Sequence, residues 1–285
     1  MKKYILITGG NAGIGRATAV ALAKAGNAVV ITSRSKVKGQ EAVATIRREA
    51  GHSEVHFLTC DLANLASVRT MAQQYQSQFG PLDTLINNAG LITDKLQWTQ
   101  DGFEMQIGVN HLGHFLLTSL LLPLLQNSPE ARIINVSSKA HYNGRIRFDS
   151  FRGELGPEKY NGMAAYAQSK LANILFTKEL ARRYPGITSH SLHPGVVGTS
   201  IAEKNDNKLL WRWGWKLFSP FMLTPAKGAR TSVFLASHPK ALESNGQYFD
   251  KQRAVTPDPL AKDVTLAMKL WDKSAELTSV RASTS

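Results

Sequence analysis

Thr8-Gly9-Gly10-Asn11-Ala12-Gly13-Ile14-Gly15 is the stretch on which the fold turns. It ends a continuous apolar run over residues 3–8, containing Tyr4-Ile5-Leu6-Ile7, that reads as a buried strand. A helical pattern over residues 16–25 follows and stops at Gly26. Strand, glycine loop and helix in that order are the context a dinucleotide site requires. Gly9 permits the tight turn, Gly13 lets the backbone approach a pyrophosphate, and Gly15 lets helix and strand pack closely. Asn11 and Ile14 belong to the same candidate phosphate loop, and the helix N-terminus offers it free N–H groups and a positive dipole end.

Working outward, residues 28–32 form a second strand ending in Ser33-Arg34-Ser35. An acid at this position would bind the adenosine ribose and repel a 2′-phosphate. Ser33 is neutral, Arg34 can clamp a phosphate with its planar fork, and Lys36 and Lys38 add positive charge, so the cofactor expected is NADP(H) rather than NAD(H). A helix over 36–50 ends at Gly51, and a strand over 55–59 leads to Cys60-Asp61-Leu62. Asp61 either accepts from an adenine amino group or caps the helix that starts near Asn64. Cys60 has no basic partner nearby and reads as a buried strand thiol.

A helix over 65–79 precedes a fourth strand, 82–86, and Asn87-Asn88-Ala89-Gly90. Small residues there let a cofactor pass close to the backbone, and asparagine amides can tie neighbouring strands. Residues 103–125 read as a long helix with Asn110 on a polar face, and 132–136 as a fifth strand ending in Ser137-Ser138. Four alternations of strand and helix predict an α/β fold: one doubly wound Rossmann domain over 1–277 with a seven-stranded parallel sheet. Ser138 then lies at the carboxyl end of a strand, where open α/β sheets bind ligands.

Tyr166-Ala-Gln-Ser-Lys170 opens a helix over 166–184 whose apolar residues recur at Leu171, Ile174, Leu175 and Leu180. Its tyrosine and lysine share one face, and an ammonium beside a phenol favours the phenolate, suiting it to general acid–base work. Taken alone, the pair fits any amphipathic helix with a snorkelling lysine.

One cysteine excludes an internal disulfide and suits a reducing, cytoplasmic setting. The N-terminus leaves no room for a signal-peptide core, and the longest apolar run, 115–125, is interrupted and too short to span a bilayer. A formal charge of +13 invites a nucleic-acid reading, yet the basic residues are scattered without a recognised motif, so no nucleic-acid partner is expected. His111, His114, His190 and His193 lack ligand-type spacing, no metal site is expected, and these histidines read as packing or surface residues.

Thr8–Gly15, Asn87–Gly90, Asn110, Ser138, Tyr166-x-x-x-Lys170 and Pro194-Gly195 together resemble, in order, the motif set of the short-chain dehydrogenase/reductase family. The finer texture of Asn110-His-Leu-Gly-His-Phe-Leu-Leu-Thr118, Gln168-Ser-Lys-Leu-Ala-Asn-Ile-Leu-Phe-Thr177 and Ser191-Leu-His-Pro-Gly195 resembles its retinol-dehydrogenase-like branch, which includes the oxidoreductase domain of WW-domain oxidoreductases. The resemblance implies that Tyr166 exchanges a proton with a substrate oxygen and that Ser138 hydrogen-bonds that oxygen. It also implies that Lys170 holds the nicotinamide ribose and lowers the tyrosine pKa, while Asn110 holds a water linking Lys170 to solvent. Pro194, Gly195 and Val197 would face the nicotinamide, with Thr199 near the pyrophosphate. An NADP(H)-dependent carbonyl/alcohol oxidoreductase acting on a small hydrophobic substrate is the function implied, and pairing through the Tyr166 helix would give a homodimer. The alternative is a redox-sensing protein that binds NADP with little turnover.

Ser138 and Tyr166 stand further apart than in many members of that family, and the extra segment, 139–163, resembles the branch's insertion and is expected beside the active-site mouth. A substrate lid is expected over 200–224. Its Trp211–Phe218 portion reads as a cover for a lipophilic substrate, a peripheral membrane contact, or a helix packed on the domain. Helix 225–237 and a seventh strand over 246–249 follow, and 278–285 is expected to be a disordered tail.

Overall fold

The computed structural model describes residues 2–195 and 223–280. Strands β1 (Tyr4–Ile7), β2 (Ala28–Ser33), β3 (Val55–Thr59), β4 (Thr84–Asn87), β5 (Arg132–Val136), β6 (Thr188–His193), β7 (Tyr248–Asp250) and β8 (Arg253–Val255) build one sheet in the order β3-β2-β1-β4-β5-β6-β7-β8. Neighbours run parallel from β3 through β7, while β8 returns antiparallel to β7. The expected seven parallel strands are therefore present, and an eighth extends the edge. Its hairpin turns through Lys251 and Gln252, both in the left-handed region, so no glycine signals it.

Helices α1 (Gly13–Lys24), α2 (Lys36–Ala50) and α6 (Pro225–Ser237) cover one face, with Leu22, Ile46 and Leu235 packing on Ile5, Ile7 and Ile31. On the other face, α3 (Leu65–Gln78), α4 (Met105–Gln126), α5 (Gly162–Arg183) and α7 (Val264–Leu277) bury Met71, Phe115, Phe176 and Trp271 against Leu6, Leu85 and Ile133. Both faces of the central strands are thus covered, which explains the continuous apolar run of β1. Local signals set the ends: Ser35 and Asn64 accept backbone N–H groups at the starts of α2 and α3, and Gly51 closes α2 at φ +64°.

Several expectations change. α4 is interrupted by a π-helical turn, Gly108–Leu112, and Asn110 within it is fully buried rather than on a polar face. By length and composition Met105–Gln126 could cross a membrane, but 78% of its most apolar window is buried in the fold, as befits a core helix. The 139–163 segment packs on the helix of Tyr166: Phe151 is buried beside Leu171 and Leu175, and Arg147 N–H donates to Gln168 Oε1 at 2.7 Å. Residues 167–177 of α5 are all buried within one copy, because α7 and this segment pack around them. Thr278, placed by sequence in the disordered tail, is buried and accepts from Arg69 at 2.6 Å.

Candidate active site

The order of the sheet reverses between β1 and β4, and the loops leaving the carboxyl ends of the strands splay apart there. A cavity of about 910 Å³ occupies this crevice. Gly9, Asn11, Gly13, Ile14 and Gly15 line its floor, Ser33 and Arg34 one end, and Asp61 and Leu62 a side wall. Asn88, Ala89, Gly90, Tyr166, Lys170 and Pro194 line the other end. Of the remaining expected residues, Asn110 and Ser138 are not part of this lining. Gly195 adopts φ +88° with Leu223 packed where a Cβ would lie, 2.4 Å away. Val197, Thr199 and the 200–222 portion of the expected lid lie outside the described residues.

The floor fits a nucleotide. Gly9 sits at φ +64° and Gly13 at +54°, conformations that side chains resist. A Cβ at Gly15 would approach Gly9 O and Asn88 Nδ2 to 2.5 Å. The loop is therefore drawn tight beneath the α1 N-terminus, whose cap residue, Ala12, makes no side-chain hydrogen bond to the first-turn N–H groups. Arg16, Arg34 and Lys38 bring positive charge to the lining, opposed by Glu41 and Asp61; Lys36 is not part of it. Asn64, not Asp61, caps α3, and Asp61 Oδ1 instead accepts from Ala63 N at 3.0 Å. Cys60 is buried in the lining with its thiol pushed up to about 12 by burial, so it is no nucleophile.

At the opposite end the Tyr166 phenol faces the Ser138 side chain, close enough for Ser138 to favour the phenolate. Burial raises the phenol pKa and Ser138 lowers it, burial being the stronger, so the expected depression by Lys170 does not prevail. Lys170 Nζ lies 5.5 Å from the Tyr166 ring centroid and donates to Val136 O at 3.1 Å. Burial lowers its pKa to about 8, which makes the ammonium readily deprotonated. Asn110 Oδ1 accepts from Leu91 N at 2.9 Å, and its Nδ2 donates to Leu91 O and to Ser169 Oγ, both at 3.0 Å. The π turn thereby fixes the loop after Gly90 against the helix of Tyr166.

Asparagines stitch the strand ends. Asn87 Nδ2 reaches Asn135 Oδ1 at 2.8 Å across β4 and β5, and Asn88 Nδ2 reaches Thr8 O at 2.8 Å across β4 and β1. His114, read from sequence as a packing or surface residue, is a buried member of this network. Its Nδ1 faces Asn110 O at 3.1 Å, which can only accept, so Nδ1 carries the proton. Nε2 then accepts from the Thr8 hydroxyl at 2.8 Å, leaving Thr8 Oγ1 to accept from Asn88 N and Ala89 N at 2.9 and 3.0 Å. The nearest signal in the sequence was its i, i+4 spacing from Asn110. His111 and His190 pair with Ser274 and Ala241, and among the described residues no cluster suits a metal ion.

A nucleotide cradle at one end, and Tyr166 and Lys170 beside Ser138 at the other, agree with comparison to known proteins. The family model described as short chain dehydrogenase matches residues 3–209. Human (Homo sapiens) retinol dehydrogenase 14 is 44% identical over 288 residues, covering 95% of this chain and 85% of its own. Human retinol dehydrogenase 11 is 42% identical over 277 residues, covering 96% and 85%. Among solved structures, an uncharacterized protein from Mycobacterium Paratuberculosis superposes with a TM-score of 0.77 at 33% identity, covering 97% of this chain and 93% of the other. The 3-ketoacyl-(acyl-carrier-protein) reductase from Brucella melitensis, complexed with NADH, gives 0.66 at 26% identity, covering 87% and 96%. On fold, cavity and sequence alike, the chain belongs to the short-chain dehydrogenase/reductase family, in its retinol-dehydrogenase-like branch.

Proposed function

We propose that this oxidoreductase uses NADP(H) to interconvert a hydrophobic aldehyde or ketone and its alcohol, with Tyr166 as general acid and base. The observation that carries the reading is the Tyr166 phenol facing the Ser138 side chain, beside the buried amine of Lys170, in a cavity floored by a glycine loop. The bound nicotinamide supplies or accepts the hydride. In reduction, the Tyr166 hydroxyl gives its proton to the carbonyl oxygen while Ser138 Oγ donates to the same oxygen and stabilises its developing charge. The phenolate left behind is stabilised by the Lys170 ammonium, whose Nζ–H groups beyond the one given to Val136 can hold ribose hydroxyls. Oxidation runs the same proton in reverse.

The NADP preference rests on Arg34, with Arg16 and Lys38, lining the end of the cavity by Ser33. Solved structures of the same fold hold NADH in one case and NADP in another, so this chain's own basic residues carry the argument. A hydrophobic, retinol-like substrate is supported by the names of the relatives at 42–44% identity.

NADPH and NADH oxidation should be measured with medium-chain aldehydes, aromatic ketones and retinal. Tyr166→Phe should lower turnover by a factor of at least about 100, within the range of positioned acid–base groups. Arg34→Ala should weaken NADPH binding about 10–100-fold and spare NADH, as expected for a charged hydrogen bond of about 1.5–3 kcal/mol. Equal use of both cofactors by the wild type would end the NADP assignment, and a fully active Tyr166→Phe would end the mechanism.

A further inference from the structure

His141 lies three residues beyond Ser138 and is fully buried. Its Nδ1 lies 2.6 Å from Ser138 O and its backbone N–H donates to the same oxygen at 3.1 Å. On the other side of the ring, Asp258 N–H points at Nε2 from 3.2 Å. A carbonyl only accepts and a backbone N–H only donates, so one tautomer satisfies both: Nδ1 protonated and Nε2 bare. The ring is wedged between Tyr142, at a centroid distance of 4.1 Å, and Tyr248, edge-on at 4.8 Å. Tyr142 in turn donates to Thr256 O at 2.9 Å, fastening the same 256–258 segment a second time.

We propose that His141 is a positioning residue for the reaction, holding the Ser138 peptide in the one orientation that aims Oγ at Tyr166 and the substrate oxygen. Ser138 is extended, at φ −157° and ψ 158°, and Oγ already accepts from Ala140 N at 3.2 Å. His141 fixes the Ser138 peptide twice, and the Ala140 N–H, one residue before His141, holds Oγ in its rotamer. The far end of the imidazole rests on the segment between β8 and α7, so the C-terminal part of the chain supports the serine through this ring. Burial keeps the imidazole neutral, as the tautomer requires. The inference rests on Ser138 being the group that binds the substrate oxygen.

Two amide replacements separate the two bonds. In His141→Asn the side-chain amide N–H falls near the position of Nδ1 and can still donate to Ser138 O. In His141→Gln the amide reaches the position of Nε2 and can still accept from Asp258, while the bond to Ser138 O is lost. Turnover is normalised to the number of NADPH sites titrated. His141→Asn should keep kcat within threefold and His141→Gln should lose at least tenfold, with the NADPH Kd within threefold of wild type in both. Adding His141→Gln to Ser138→Ala should cost nothing further, since a residue acting through Ser138 has no effect once the hydroxyl is gone. Equal losses in the two variants, or additive losses in the double variant, would overturn the proposal and reduce His141 to a packing residue. If Gln does not fold, Asn alone decides, and a tenfold loss in it overturns the proposal. A Ser138→Ala enzyme with full turnover would instead defeat the underlying functional reading.

Discussion

Replacing Gly15 by alanine tests whether the glycine loop is as tight as described. The added Cβ would stand 2.5 Å from both Gly9 O and Asn88 Nδ2, about 1 Å inside ordinary van der Waals contact. Neither neighbour can withdraw freely. Gly9 is held at φ +64°, and Asn88 is bound to Thr8 through Nδ2 at 2.8 Å and through its backbone N–H at 2.9 Å. Displacing the amide loses about one hydrogen bond, about 1 kcal/mol, and overpacking adds about 1–3 kcal/mol. The combined cost of about 2–4 kcal/mol is shared between folding and NADPH binding. Taken wholly as binding it corresponds to about a 30-fold to several-hundred-fold rise in Kd. Taken wholly as folding it lowers the melting temperature by roughly 2–4 °C per kcal/mol. Calorimetric titration with NADPH and thermal melts of the free protein together account for the sum. Gly186→Ala, where nothing lies within 4 Å and the backbone has no positive φ, is the control and should leave both readings unchanged. A Gly15→Ala protein that melts within 1 °C of wild type and binds NADPH within threefold would refute the packing argument.

Two further outcomes follow from buried histidines and from the edge hairpin. Burial lowers His111 to about 3 and His114 to about 4, against about 6.5 in the unfolded chain, so the unfolded state takes up protons that the folded state refuses. Their contribution is complete above pH 6.5 and declines as pH falls below it, by up to about 1.4 kcal/mol per pH unit for each histidine. Denaturation midpoints constant from pH 7 to pH 5 would contradict this. In the β7–β8 turn, Gln252 lies at φ +64°, and Gln252→Gly should stabilise by about 1 kcal/mol. An unchanged or lower melting temperature would mean that the turn carries no strain.

The sheet was legible because its information is local. β1 and β2 carry apolar runs and the glycine loop marks the first crossover, so the parallel doubly wound sheet and the place of the site followed from alternation, while the order of the strands did not. The helix that carries Tyr166 and Lys170 was legible from its spacing, and Ser138 from its place at a strand end, but only the ordered set of motifs singled them out from any amphipathic helix. What escaped depends on contacts between distant parts of the chain. Nothing near Asn110 announces a π turn, and nothing near His114 or His141 announces Thr8 or Asp258 as partners. The direction of the Tyr166 shift escaped for the same reason, since burial is decided by the whole fold and outweighs a neighbour one helical turn away. β8 offers three exposed residues and a turn without glycine, leaving neither an apolar pattern nor a turn signal to read. The stripe of α7, Ala267, Leu270, Trp271 and Ala275, does have helical spacing, but its role as the cover of α5 becomes visible only in three dimensions.

That cover sets an order of events during synthesis. The helix bearing Tyr166 and Lys170 leaves the ribosome about eighty residues before α7, and until α7 arrives the surface later closed by Leu270, Trp271 and Ala275 stays open to solvent. The rest of the sheet can assemble in the meantime, but α5 is not enclosed until α7 has been made. Shortening the C-terminus by a single helix would leave every site residue in the chain and uncover the wall that holds two of them in place.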